Sequence, residues 1–303
     1  MSAVPKNVAI SVRDRLVARA RSRRENAQLL MTHYVIERLL YRLSRSQHRD
    51  RFILKGAMLF SLWADAPYRA TGDLDLLGAG ENTPDKLASI FQEIFAVEVE
   101  DDGILFRPDT LRAAAARAED EYAGVRIDFL AELAGARLPM HVDIGFGDAV
   151  TPAPVDIRYP SMLDQPMAEL RAYPPETVVA EKFQAMVALD MINTRLKDFY
   201  DLWAIANAFE FDGTVLARAI AATFERRQTK VPAQIPAALT AAYADERQGQ
   251  WAAFLRRTEI VLAPEPFPDV QAQIERLVMP PALALASGAG FEGRWRPGGP
   301  WEI

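Results

Sequence analysis

Two aspartates separated by a single leucine, Asp73 and Asp75, stand in the run Asp-Leu-Asp-Leu-Leu-Gly that ends at Gly78. On a strand their side chains share a face, because successive residues alternate. Two carboxylates held that close repel, which raises one pKa unless a cation lies between them. Magnesium takes hard oxygen ligands, commonly one or two carboxylates plus substrate phosphates. The pair is therefore a reasonable metal clamp, but taken alone the tetrapeptide reads more readily as an ordinary strand with its aspartates facing water. A third acid, Asp143, lies in the apolar run His-Val-Asp-Ile-Gly-Phe, sharing a face with His141 while Val142 and Ile144 point the other way. A carboxylate in such a strand must be paired, hydrogen-bonded or metal-bound, and three acids can hold two magnesium ions. Gly56, at the expected start of a helix, either offers free N–H groups to a phosphate or is a plain turn glycine. Its neighbour Ala57 has no hydroxyl, so any phosphate contact there must come from the backbone. Arg69 either pairs with a site acid or a phosphate, or is an arginine of the turn.

Other chemistries find little support. No cysteine occurs, which excludes disulfides, thiolate zinc sites and a cysteine nucleophile. The histidines His33, His48 and His141 lack metal-ligand spacing. There is no P-loop and no nucleophile-elbow sequence. An aspartate-phosphatase would want a hydrophobic strand before the pair, where this chain has Tyr-Arg-Ala-Thr-Gly.

The elements that must position these residues follow from periodicity. With 303 residues, half of them hydrophobic, the chain can build one large domain or two ordinary ones. Helices are expected at 8–22 and 25–44, a short one at 57–63, a strand at 74–77 and a helix at 83–95. A hairpin is expected around Asp101-Asp102-Gly103, joining 97–99 to 104–106. Residues 110–119, rich in alanine and arginine, read as helical; 125–133 and 140–146 read as strands turned by Gly135. Beyond Pro154 the pattern becomes helical, at 175–190, 195–209, 213–227, 233–243, 247–257 and 267–278. The Gly/Pro-rich tail from Pro280 carries Phe291, Trp295 and Trp301, too aromatic for a free linker, and is expected to dock on the body. The predicted division is an α/β half over 1–165 and a helical half over 166–303, with the aspartate pair facing a cleft between them.

The net charge of −6 argues mildly against indiscriminate nucleic-acid binding. Local basic patches remain: Arg13, Arg15, Arg19, Arg21, Arg23 and Arg24 near the start, and Arg226, Arg227 and Lys230 later. The first of these reads more readily as a solvated helix face. No transmembrane-length apolar run and no secretory signal occur, and a reducing cytoplasm is the expected location. Lys182, in an apolar helix beside Glu181, reads as a snorkelling lysine or a local ion pair. Asp198 and Asp201 lie three apart on one helix face, either as a solvated stripe or paired with Arg195 or Lys197.

Taken together, these residues resemble the polymerase-β-like nucleotidyltransferases, and more narrowly the AbiEii/AbiGii abortive-infection toxins, which include the MenT toxins. The resemblance runs through Arg-Phe-Ile-Leu-Lys-Gly at 51–56, Arg69-x-Thr71-x-Asp73-x-Asp75, Val-Asp-Ile-Gly-Phe-Gly-Asp ending at Asp148, the segment Tyr173 to Lys182, and Arg195-x-Lys197-Asp198-Phe199-Tyr200-Asp201. It departs at Ala57, where the family often has glycine or serine, and in a longer gap to Asp73. It implies an α+β fold, a mixed sheet with flanking helices followed by an all-helical half. It makes Asp73, Asp75 and Asp143 the metal carboxylates, Lys182 the triphosphate lysine, and Asp198 a late catalytic aspartate with Asp201 as the neighbouring candidate. Gly56 becomes the phosphate-binding turn, and Thr71 occupies a hydroxyl position that some relatives have phosphorylated. The implied activity is magnesium-dependent transfer of a nucleoside monophosphate from an NTP to RNA, at the tRNA 3′ end. Translation would stop, as a toxin–antitoxin or phage-defence system requires, with an antitoxin protein or kinase as partner. Arg19, Arg23, Arg226 and Arg227 would contact the RNA. The alternatives are a silent nucleotide- or partner-binding scaffold, or a transferase acting on a protein or small molecule.

Overall fold

The computed structural model describes residues 7–63, 71–115, 124–258, 260 and 262–303. Asparagine side chains start the first two helices: Asn7 accepts from the Ile10 N–H ahead of α1 (Val8–Arg23), and Asn26 from the Leu29 N–H ahead of α2 (Ala27–Arg45). There follow β1 (Phe52–Lys55), a 3₁₀ turn (Gly56–Leu59), α3 (Phe60–Trp63), β2 (Asp73–Gly78) and α4 (Pro84–Phe95), which opens on proline. Next come β3 (Ile104–Ala115), β4 (Gly124–Leu133), β5 (Ala136–Phe146), β6 (Val155–Tyr159) and β7 (Ala168–Ala172). They form a seven-stranded mixed sheet ordered β3-β4-β5-β2-β1-β7-β6.

The central strand β2 runs antiparallel to β1 and parallel to β5. One face of this sheet is the core: Leu54, Leu74, Leu76, Val125, Ile127, Phe129, Val142 and Ile144 are all buried. Phe95 of α4 packs on it, 4.9 Å from the Phe106 ring and 4.8 Å from that of Phe129. Each large apolar side chain so buried contributes roughly 1.5–3 kcal/mol. The alternate residues of the same strands are left on the other face.

Two expectations fail here. Residues 97–99 are not a strand, and no hairpin forms at Asp102. Its carboxylate is instead a buried anchor, accepting from Arg42 at 2.6 and 3.2 Å and from Arg38 Nε at 3.3 Å. Glu37 completes this network, 3.2 Å from Arg38 and accepting from Ser161 and the Met162 N–H. The described part of 110–119 is strand, because Arg112 to Ala115 pair with β4 and that pairing overrides alanine's helix propensity.

The second half holds α5 (Pro175–Leu189), α6 (Leu196–Ala208), β8 (Phe211–Asp212), α7 (Gly213–Arg226), α8 (Ala241–Thr258), α9 (Phe267–Ala286), β9 (Arg294–Trp295) and β10 (Trp301–Glu302). The helix expected at 233–243 is broken at Pro236: only a single turn, Ala237–Leu239, forms there, and residues 241–243 belong to α8. Nor is this half all helical, because β8, β9 and β10 form a small sheet. The tail docks there: Trp295 is fully buried and donates to the Ala206 carbonyl, while Trp301 donates to that of Leu277. The contacts divide the chain into two compact units, Met1–Gly147 with Val155–Ala172, and Asp148–Pro154 with Tyr173–Ile303. None of the described helices is long and apolar enough to cross a membrane.

Candidate active site

In the first unit the face opposite the core carries the acids. Asp73 stands beside His141 in the parallel ladder between β2 and β5, and Asp75 beside Asp143. On β4, Asp128 is opposite His141 and Arg126 opposite Asp143. Asp73 is exposed and Asp75 half-buried. Neighbouring strands lie ~4.8 Å apart, so Asp73, Asp75 and Asp143 project from one face of two adjacent strands, beside Arg126, Asp128 and His141.

Gly56 is shaped by this face. Its φ is +73°, and a Cβ there would lie 2.0 Å from Asp75 Oδ2. The Asp75 carboxylate thus fills the space a side chain would need, and only glycine fits without strain. Ala57 is buried in the 3₁₀ turn that follows, and α3 beyond it has four residues, leaving little macrodipole for a phosphate.

Asp143 is bound by Arg126 through both oxygens, Nε to Oδ1 at 2.8 Å and Nη2 to Oδ2 at 2.6 Å. That carboxylate raises the pKa of the guanidinium. His141 Nδ1 lies 2.5 Å from Asp128 Oδ1. Arg126 and Asp128 escaped the reading of the sequence. Their signal was present in Val-Arg-Ile-Asp-Phe, where inward Val125, Ile127 and Phe129 force the intervening residues onto the open face. Thr71 is tied down through its carbonyl, 2.5 Å from His33 Nε2, and burial lowers the pKa of that histidine. Arg69 lies outside the described residues.

The second unit brings Lys182 and Asp198 together, and adds Asp201. The Lys182 Nζ is 2.6 Å from Asp198 Oδ1 and 2.8 Å from Asp201 Oδ2. Asp201 is fully buried and Asp198 nearly so, hence they are no solvated stripe. Arg195 Nε lies 3.8 Å from the other Asp198 oxygen. A lysine between two buried acids repays part of their desolvation.

The arginines divide by role. Arg13, Arg15 and Arg19 hold α1 to the first unit by donating to the carbonyls of Ala134, Leu163 and Met162. Arg21, Arg23 and Arg24 are exposed. Arg226 is exposed, but Arg227, expected as an RNA contact, is 9 % exposed and lies among Asp148, Glu181 and Gln184. Its guanidinium is paired inside the unit, and Arg19 donates to the Met162 carbonyl.

As donors, Asp73, Asp75 and Asp143 suit magnesium: all are hard oxygens on one half-open face. Among the described residues no three acids or histidines are gathered as a ready-made metal site, and Asp143 is turned to Arg126.

Residues 38–276 match the family described as "Nucleotidyl transferase AbiEii toxin, Type IV TA system". Among solved structures, JHP933 from Helicobacter pylori shares 12% identity at a TM-score of 0.49, covering 87% of this chain and 94% of its own. A second H. pylori structure, described as a candidate nucleotidyltransferase, shares 14% identity at a TM-score of 0.46, covering 87% and 96%. No match was found among curated proteins. The family match spans well over half of the chain, which belongs to the AbiEii nucleotidyltransferase toxin family and is a nucleotidyltransferase.

Proposed function

We propose that this nucleotidyltransferase is magnesium-dependent and transfers a nucleoside monophosphate from an NTP to an RNA hydroxyl, at the tRNA 3′ end, thereby blocking translation. The observation that carries the reading is the trio of carboxylates on one half-open face: Asp73, Asp75 and, one strand over, Asp143. These three would hold the magnesium, which when bound supplies positive charge against the triphosphate. Asp143, or another acid of the face, takes the proton from the acceptor hydroxyl. The hydroxyl oxygen bonds to the α-phosphorus, and the bond from that phosphorus to the bridging oxygen breaks. Pyrophosphate leaves with the electron pair. Gly56 keeps the Asp75 carboxylate in place by yielding its own side-chain space, a matter of preorganisation. Within the second unit, Asp198 and Asp201 hold the Lys182 ammonium in a fixed position.

Arg21, Arg23, Arg24, Arg226 and Lys230, all exposed, are candidate contacts for RNA phosphates. Toxin–antitoxin membership supports an antitoxin partner encoded nearby, and a cytoplasmic site of action follows from a tRNA acceptor. The test is incubation with magnesium, each labelled NTP in turn, and total tRNA. Labelled RNA that disappears in Asp73→Ala is the expected result. Absence of transfer with every nucleotide, despite nucleotide binding, would sink the RNA reading.

A further inference from the structure

The Asp143 carboxylate has two claimants. It stands next to Asp75 in one ladder and opposite Arg126 in the next, with an acid on one side and a guanidinium on the other. Both its oxygens accept from Arg126, in the two-pronged geometry that is the strongest a carboxylate and an arginine can make. The pair is nevertheless half in water, with the Arg126 side chain 50% exposed and that of Asp143 35%. Exposed pairs of this kind exchange partners at little cost. Asp73 and Asp128 act on the same guanidinium, and Lys55 stands opposite Asp75 on the same face.

We infer that Arg126 is the resident counter-ion of Asp143 and competes with a divalent cation for that carboxylate, which passes from arginine to cation when the site is loaded. This rests on the proposed role of Asp73, Asp75 and Asp143 as cation ligands. In the absence of a cation, Arg126 relieves the repulsion among the acids. When it lets go of Asp143, its long side chain places a positive charge on the same face, where an anionic triphosphate must lie. Arg126 is thus a positioning residue, acting on the reaction through Asp143.

The probe is manganese, titrated into the nucleotide-free full chain with the free ion read by electron paramagnetic resonance. Arg126→Gln is expected to bind manganese about threefold to tenfold more tightly than the unaltered chain, the yield of removing one exposed competitor. In an Asp143→Asn background the same substitution should change nothing. Unchanged or weaker binding in Arg126→Gln overturns the inference. So does a gain that persists in full with Asp143→Asn, because it would then come from the field of the charge and not from competition. Arg126→Lys keeps the charge without the two-pronged grip and should fall between; if Arg126→Gln does not fold, an unchanged affinity in Arg126→Lys is the overturning result. Manganese binding that is indifferent to Asp73→Asn removes the cation site itself and this inference with it. Binding that needs Asp73 but ignores Arg126 removes the inference alone.

Discussion

The two charged clusters differ in their relation to water. On the sheet face of the first unit, Asp73 is exposed and the Arg126–Asp143 pair is half-exposed. In the second unit, Asp198 and Asp201 are buried around a largely buried Lys182. Charges left in water are weakly committed and can be handed to a ligand. Charges taken out of water are committed to each other, because separating them leaves one stranded. The first cluster is therefore built to change partners and the second to hold still.

Breaking the second cluster should have the largest effect. Lys182→Ala strands two buried carboxylates and should cost about 3–5 kcal/mol, lowering Tm by on the order of 10 °C in a thermal melt. An unchanged melt would mean that the lysine is as loosely held as the open face. Next, Asp73→Asn should lower nucleotide transfer by about 10²–10³-fold with stability altered by less than ~0.5 kcal/mol, since an exposed acid holds nothing up. A comparable loss of stability would erase the distinction. Gly56→Ala sharpens the contrast, because it disturbs the open face from below: left-handed backbone and the crowding of Asp75 should cost about 1–3 kcal/mol by urea unfolding, with activity falling too.

Smaller effects test the same division elsewhere. Replacing Arg21, Arg23 and Arg24 by glutamine should flatten the log–log salt slope of RNA binding by about 2 and leave the melt unchanged. The corresponding change at Arg13, Arg15 and Arg19 should weaken the fold and leave the slope alone. His33 supplies the smallest signal. Burial holds its folded pKa below the ordinary 6.5, so the unfolded chain takes up a proton first as pH falls. Its contribution is complete above 6.5 and is lost as pH drops through the folded pKa. His33→Gln should flatten that acid limb in urea midpoints, and an unaltered limb would show that the histidine titrates freely.

Much of this was legible in the residues themselves. Alternation around Asp73, Asp75 and Asp143 placed all three on one side of their strands, and leucine spacing marked α2. The partners that complete the clusters were not legible, for they come from strands or helices distant in the chain. Nothing local says that Arg126 reaches Asp143, or that Lys182 sits between Asp198 and Asp201. The alanines of β3 looked helical because propensity is local, while the ladder that overrides it is not. Asp102 misled in the same way: Asp-Asp-Gly is turn chemistry, and only the fold reveals Arg38 and Arg42 waiting for it.

The parallel register of β2 and β5 also sets a rule of parity for change in this chain. Asp75 meets Asp143 on one rung, and each strand repeats its orientation every second residue. The connections between the two strands can lengthen or shorten by any number of residues and leave the acids as neighbours. A single residue gained or lost within either strand, between its acid and the paired segment that anchors it, would send that acid into the apolar core beneath. Length variation inside β2 or β5 should accordingly survive only in even steps, whereas outside them it should show no such bias.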